Sequence, residues 1–202
     1  MHIDQALATY AELLRAAPHN LLSPRALDEL EERHFPECRS LAACLPREAG
    51  RRRLLLDVGS GGGLPGLIIA LERPDLEVHL LEATGKKVAF LRETAGYLGL
   101  ELEVHHGRAE ALAGSGLRGR FDLVTARAVA PLERLLPWTM PFLRPAGLLY
   151  AVKGERWVEE VEAASDALRR TGGSIVATPD QAAPGSGVRS VIVTRIDAAG
   201  KA

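Results

Sequence analysis

Apolar positions in the first fifty residues recur at helical spacing. Ile3, Ala6, Leu7, Tyr10, Leu13 and Leu14 share one face of a helix over 3–16, which Pro18 ends. Ser23 before Pro24 reads as a helix start, with the capping hydroxyl ahead of a first-turn proline. That second helix carries Leu27, Leu30, His34 and Phe35 until Pro36 interrupts it, and a short third helix is expected over 38–45. Residues 1–50 thus read as an N-terminal helical extension, and residues 51–202 as the main domain.

From residue 53 the pattern becomes an alternation of strand and helix. Strands are expected over 53–58, 76–82, 101–107, 120–127 and 147–154. Between them helices are expected over 64–73, 85–99 and 131–142, with a short turn at 109–112 and a long helix from 155 to about 170. Two late strands, 172–179 and 188–196, are joined through ProGlySerGly at 184–187 with no helix between them. Alternation predicts a mostly parallel sheet covered on both faces. The last two strands must pair antiparallel, because a parallel crossover needs a dozen or more residues. Five alternating units and a terminal hairpin match the plan of Rossmann-like class I methyltransferases: an α/β fold with seven strands, the last antiparallel.

Composition is that of an ordinary globular chain of 202 residues, and a formal net charge of −1 gives no overall sign of a polyanionic partner. Any nucleic-acid surface must then be local. Arg51–Arg53, Lys86, Lys87, Arg92 and Arg108 are the candidates for a phosphate-facing rim, although each alone also reads as a solvated charge. Cys38 and Cys44 match no zinc or disulfide spacing and read as small buried or half-buried thiols. His105 and His106 are adjacent on a strand and point to opposite faces, which argues against a joint metal site. Without a signal-peptide pattern or a long apolar run, the chain reads as cytoplasmic, with no membrane segment.

The stretch LLLDVGSGGGLPG at 54–66 carries the chemistry. A glycine-rich loop after the first strand lies where open α/β sheets bind ligands. Gly61 to Gly66 satisfies the dinucleotide pattern G-x-G-x-x-G, but the loop begins at Gly59, which leaves that match, ending at Gly66, out of register and incidental. Asp57 also opposes a pyrophosphate, by about 4 kcal/mol at 4 Å and an effective dielectric of 20. The same carboxylate suits a cation, and S-adenosylmethionine carries an ammonium and a sulfonium but no phosphate. Glu82 ends the second strand, 23 residues after Gly59, near the spacing of about 20 expected of a ribose-binding acid.

The blocks DVGSGGGLPG (57–66), LEATGKKVAFLRETAGYLGL (81–100), GRAE (107–110), FDLVTARAVAPL (121–132) and YAVKG (150–154) resemble the RsmG (GidB) family of 16S rRNA guanine-N7 methyltransferases. The resemblance covers about residues 20–195. It implies S-adenosylmethionine as cofactor, with Gly59 and Leu64 in contact with it and Ala109 and Glu110 beside its adenine. Gly61 and Gly63 belong to the same loop. It also implies that Arg127 lies near the cofactor, that Lys153 belongs to a lysine–glycine motif, and that His34 matches a histidine of the helical segment. The implied partner is 16S rRNA or the small ribosomal subunit, and the expected reaction is methylation of a guanine N7 in the 530 loop by a monomer. The chain departs from the family pattern at Leu22, at Glu37 and Cys38 after His34, and at Ser190 after Arg189.

Residue chemistry adds limits of its own. Neither cysteine follows the fourth or fifth strand, against a covalent cysteine route, and no Asn/Asp-Pro-Pro-aromatic motif for amine methylation is present. Guanine N7 has an in-plane lone pair and needs no base. Arg127 and Lys153 are expected at strand ends above the cleft, reaching the cofactor carboxylate, guanine O6 or an RNA phosphate, or else paired with Asp57 or Glu110. His34 reads as functional or as a capping or core histidine. Trp138 and Trp157 have apolar neighbours at helical spacing and read as core rather than base-stacking residues. Alternatives are a cofactor-binding RNA or ribosome-assembly factor with little catalysis, a small-molecule methyltransferase and a nicotinamide oxidoreductase.

Overall fold

The computed structural model describes residues 2–18, 20–48, 50–179 and 189–196. The strands are β1 (Arg53–Val58), β2 (Leu76–Glu82), β3 (Glu103–His106), β4 (Phe121–Arg127), β5 (Leu143–Val152), β6 (Gly173–Ala177) and β7 (Ser190–Arg195). They form one sheet in the order β3-β2-β1-β4-β5-β7-β6. Strands β1 to β5 pair in parallel, and β7 runs antiparallel between β5 and β6. This is the seven-stranded α/β plan expected from the alternation. The turn at 184–187 lies outside the described residues.

The strand order reverses between β1 and β4, so the crevice at this switch point opens at their carboxyl ends. Helices α4 (Gly66–Glu72), α5 (Gly85–Leu98) and α6 (Ala109–Leu112) follow β1, β2 and β3. Helix α7 (Leu132–Thr139) runs into a tight turn at Met140–Phe142. The long helix expected after residue 155 is two, α8 (Trp157–Ala163) and α9 (Ser165–Thr171), which break at Ala164. Ala164 and Ala167 at this break are fully buried.

The N-terminal segment forms α1 (Ile3–Ala16), α2 (Pro24–Asp28) and α3 (Phe35–Cys44). Pro36 does not break the path. A π-helical turn at Leu30–His34 feeds directly into α3, with the Phe35 amide reaching back to the Leu30 carbonyl. A proline has no N–H to bond and its ring crowds the carbonyl four residues back; the wider turn relieves both and places Pro36 in the first turn of α3. The segment expected as an extension joins the core of the main domain. Tyr10, Leu14, Phe35, Cys38 and Leu41 pack in one cluster with Leu67, Ile68 and Leu80.

Arg73 fastens this layer. It is 1 % exposed, yet all five N–H groups of its guanidinium donate hydrogen bonds. Nη1 donates to the Ala42 and Leu45 carbonyls at 2.7 and 2.8 Å, Nη2 donates to Pro46 at 3.1 Å, and Asp75 takes a bidentate pair at 2.8 and 2.7 Å. The cation thus satisfies carbonyls at the C-terminal end of α3 that have no intrahelical partner. Arg73→Met should lower unfolding stability by about 3 kcal/mol, read from the urea midpoint, because it strands those carbonyls in the core.

Candidate active site

The loop from Gly59 to Pro65 leaves β1 and wraps over the end of β2. The Gly59 and Ser60 amides both donate to the Leu81 carbonyl, at 2.8 and 3.1 Å. Gly59 has φ +72°, and a Cβ there would lie 2.7 Å from a Val129 methyl, so only glycine fits. Gly63 donates to the Ser60 carbonyl at 2.7 Å. Tyr10 on α1 donates its hydroxyl to the Gly62 carbonyl at 2.6 Å, which ties the helical layer to the loop.

Gly66, the last residue of the out-of-register match, has a packing task. A Cβ there would overlap Leu80 of β2 and approach Asp57 Oδ2 to 2.8 Å. The start of α4 can therefore sit against the sheet only with glycine. This is the close helix–strand approach that the third glycine of a dinucleotide loop also provides.

Asp57 is brought under the loop and not into the open cleft, and it is 1 % exposed. Its Oδ1 accepts from the Thr125 hydroxyl of β4 at 2.8 Å, while Oδ2 is buried with no hydrogen bond of normal geometry. Burial raises its pKa from 3.8 to about 6, although Thr125, Ser60, the Gly66 amide and Arg127 all favour the charge. In the window from 3.8 to about 6 the folded chain holds a proton that the unfolded chain releases, so stability falls as pH rises through it. An acid retained at that cost beneath a glycine loop is a candidate functional group.

Glu82 stands at the end of β2, on the wall of a cleft lined also by Gly59, Ala83, Ala109, Glu110, Val129 and Trp138. Its Oε2 accepts from the Gly61 amide at 2.9 Å and its Oε1 from Thr84 at 2.8 Å. Each oxygen keeps a further lone pair for a ligand hydroxyl. Ala109 and Glu110 open α6. Leu64 is buried in the loop, 7 % exposed. Trp138, read as core, both packs on the core and lines this cleft. Trp157 packs on the core.

A second cleft of about 250 Å³ lies across the switch point, between α3 and the ends of β4 and β5. Arg127 is its central cation. Its Nη2 contacts His34 Nδ1 at 2.5 Å and donates to Glu37 Oε2 at 3.0 Å, and Nη1 donates to Cys38 Sγ at 3.5 Å. The partner is thus Glu37 and not Asp57 or Glu110. Burial first, then the Arg127 charge, lower the His34 pKa, so its ring is neutral and Nδ1 accepts. Burial pushes the Cys38 thiol up to about 12, which keeps it protonated. Cys44 is exposed rather than half-buried. Ala128, next to Arg127, sits at φ +55°, a left-handed backbone that a residue with a Cβ seldom adopts.

Lys153 lies just past β5 and lines the second cleft, but its ammonium is committed. Nζ donates to the Ala130 carbonyl at 2.8 Å and pairs with Glu160 at 2.8 Å. Sequence reasoning did not single out Val129, and it noted Glu37, Cys38 and Arg189 only at departures from a family pattern, without a place in a cleft. Nearness along the chain to Arg127 and His34 hinted at the first three, and nothing along the chain hinted at Arg189.

The proposed phosphate rim divides. Arg51 pairs with Asp122, Arg53 with Glu48, and Arg52 donates to Leu76. All three lie at the start of β1, the end of the sheet away from the site, and so leave the rim. Arg92 donates to the Val104 carbonyl of β3. Lys86 and Lys87 open α5, and Arg108 lines the first cleft. Among the described residues no helix is long and apolar enough to cross a membrane.

Comparison with solved structures places the fold. The chain matches a putative S-adenosyl-L-methionine-dependent methyltransferase of Methanococcus maripaludis with TM-score 0.62 and 16% identity, over 86% of this chain and 92% of that one. It matches TYW2 of M. jannaschii, solved with AdoMet, with TM-score 0.56 and 18% identity, over 80% and 74%. Curated relatives are nearer in sequence. The Ribosomal RNA small subunit methyltransferase G of Nocardioides sp. is 42% identical over 87% of this chain and 68% of its own. That of Mycolicibacterium gilvum is 43% identical over 83% and 73%. The family model described as GidB, rRNA small subunit methyltransferase G, matches residues 3–184. The chain, with its glycine loop, its strand-end glutamate and its arginine cleft, belongs to this methyltransferase family.

Proposed function

We propose that this protein transfers a methyl group from S-adenosylmethionine to N7 of a guanine in the 530 loop of 16S rRNA. The observation that carries the reading is the pair of clefts across the β1–β4 switch point. One holds a strand-end carboxylate fitted to a ribose diol, and the other a clamped arginine.

The residues fit this cofactor. Glu82 offers a lone pair on each oxygen to the two ribose hydroxyls, and Gly59, Gly61, Gly63 and Leu64 offer backbone at close approach. Ala109 and Glu110 flank the adenine, with Val129 and Trp138 as an apolar wall. Asp57 attracts the ammonium end through the loop and not by contact. When bound, S-adenosylmethionine supplies a methyl group activated on a sulfonium.

The other residues hold the base. Arg127 has five guanidinium N–H groups and uses three, so Nε–H and one Nη1–H remain. These reach guanine O6 or an RNA phosphate and leave the N7 lone pair free to face the methyl group. No proton leaves N7, so no base is required, and the rate comes from proximity and alignment. His34 is a positioning residue for Arg127, and Lys153 one for the turn at 127–131. Lys86, Lys87 and Arg108 supply cations for RNA phosphates around the first cleft.

A second reading is a cofactor-binding ribosome-assembly factor with little catalysis. It is favoured by the Glu37 ion pair, which competes with an RNA phosphate for Arg127. Mapping m7G in 16S rRNA from cells with and without the protein separates the two. The mark should disappear without it, and an unchanged mark would remove the methylation reading. Arg127→Ala should lower methyl transfer by about 100-fold, since it removes a charge-assisted donor.

The cofactor seat is tested by calorimetry. Glu82→Ala should weaken S-adenosylmethionine binding by about tenfold or more, the loss of two charge-assisted hydrogen bonds. Protonation of Asp57 below about 6 removes its negative charge. Affinity should therefore drop about tenfold between pH 7 and pH 5. Asp57→Asn should bind weakly at both, and a flat profile in the unaltered chain would exclude Asp57 from the interaction.

A further inference from the structure

A second polar cluster lies on the β2–β3 edge of the sheet, and none of its residues lines either cleft. His79 of β2 is 1 % exposed, and its ring is held edge-on against Phe121 with centroids 5.2 Å apart. In the parallel register His79 lies opposite Glu103, so His105, two residues on, projects from the same face. The reading of His105 and His106 as pointing apart stands, but the partner of His105 is His79, far away in sequence. The spacing of histidines along one strand does not disclose such a pair.

Three ligand atoms converge there. His79 Nδ1 lies 3.0 Å from His105 Nε2. The Glu103 carboxylate oxygen lies 3.6 Å from each of these nitrogens. A point about 2.0 Å from all three atoms exists within this triangle, which is the bond length of Zn²⁺ to imidazole nitrogen and carboxylate oxygen.

The outer contacts favour a metal as well. His79 Nε2 is 3.2 Å from Glu77 Oε1 and donates its proton there, since a carboxylate only accepts. That tautomer turns the Nδ1 lone pair toward the cluster. It reproduces the carboxylate–histidine–metal arrangement that raises ligand basicity. Burial first, then the neighbouring His79, lower the His105 pKa, so its ring is neutral. Arg92 and Arg120 contribute to that lowering, and the carboxylates of Glu77 and Glu103 offset their repulsion of a cation. Binding asks only that the His105 proton move from Nε2 to Nδ1.

We infer that His79, His105 and Glu103 form a binding site for a divalent transition metal ion of the zinc type. Water completes its coordination from the side of exposed Glu103. The ion joins β3, an edge strand of four residues whose partner is β2, to the rest of the sheet. It lies outside the methyl-transfer machinery and acts on the stability of this edge.

The full chain, stripped with EDTA, is titrated with ZnCl₂ by calorimetry. One saturable equivalent with an associated rise in Tm is expected. Glu103→Ala alters an exposed side chain and should keep the fold, as circular dichroism checks. Together with His105→Ala it should abolish that equivalent. Glu77→Gln should weaken it by about tenfold. Co²⁺ in place of zinc should give the visible absorption of a tetrahedral nitrogen–oxygen site in the unaltered chain and not in the double variant. No saturable binding, or equal binding by the unaltered chain and the double variant, would overturn the site and leave the histidines as a plain hydrogen-bonded pair.

Discussion

The loop after β1 can form only where backbone meets backbone and side chain without a Cβ in between. Gly59 against Val129 and Gly66 against Leu80 and Asp57 set that constraint. Around it the surrounding groups take fixed places. The Leu81 carbonyl receives two loop amides, Glu82 receives a third, and Tyr10 holds the Gly62 carbonyl from the side. The cleft wall and the glutamate that faces it are thus positioned by the same contacts that close the loop.

The helical layer at the N-terminus has two roles that meet at this loop. Arg73 fixes the far end of α3, and Tyr10, stacked on Phe35 with centroids 5.5 Å apart, fixes α1 to the loop. Between these anchors the π-helical turn ahead of Pro36 aims His34 at Arg127, and Glu37 and Cys38 follow on α3. Three side chains within five residues hold one guanidinium. Glu37 and Cys38, two of those three, bear on the arginine and lie outside the cleft that Glu82 lines.

Charge burial separates the groups by task. Asp57 and Cys38 both lie deep near Arg127, yet burial leaves Asp57 able to ionise near neutral pH and keeps Cys38 a thiol. Lys153 lines the same cleft, but Glu160 and the Ala130 carbonyl hold its ammonium. Cations near a cleft are therefore not equivalent: Lys153 is held by a carboxylate and a carbonyl, whereas Arg127 has guanidinium N–H groups beyond the three given to His34, Glu37 and Cys38.

The seven-strand alternation, the antiparallel end, the glycine loop and the strand-end positions of Asp57 and Glu82 were legible in the chain because each depends on local periodicity or on spacing along one strand–loop unit. The shared core of residues 1–50 was not, since an amphipathic face does not say what it packs on. The pairing of Arg127 with Glu37 spans 90 residues, and that of His79 with His105 spans 26. The packing need for Gly66 depends on Leu80, a residue of another strand. Local order follows from neighbours in the chain. Which buried charges, carbonyls and rings meet is decided by strand register and helix packing, because those alone set distances between residues remote in sequence.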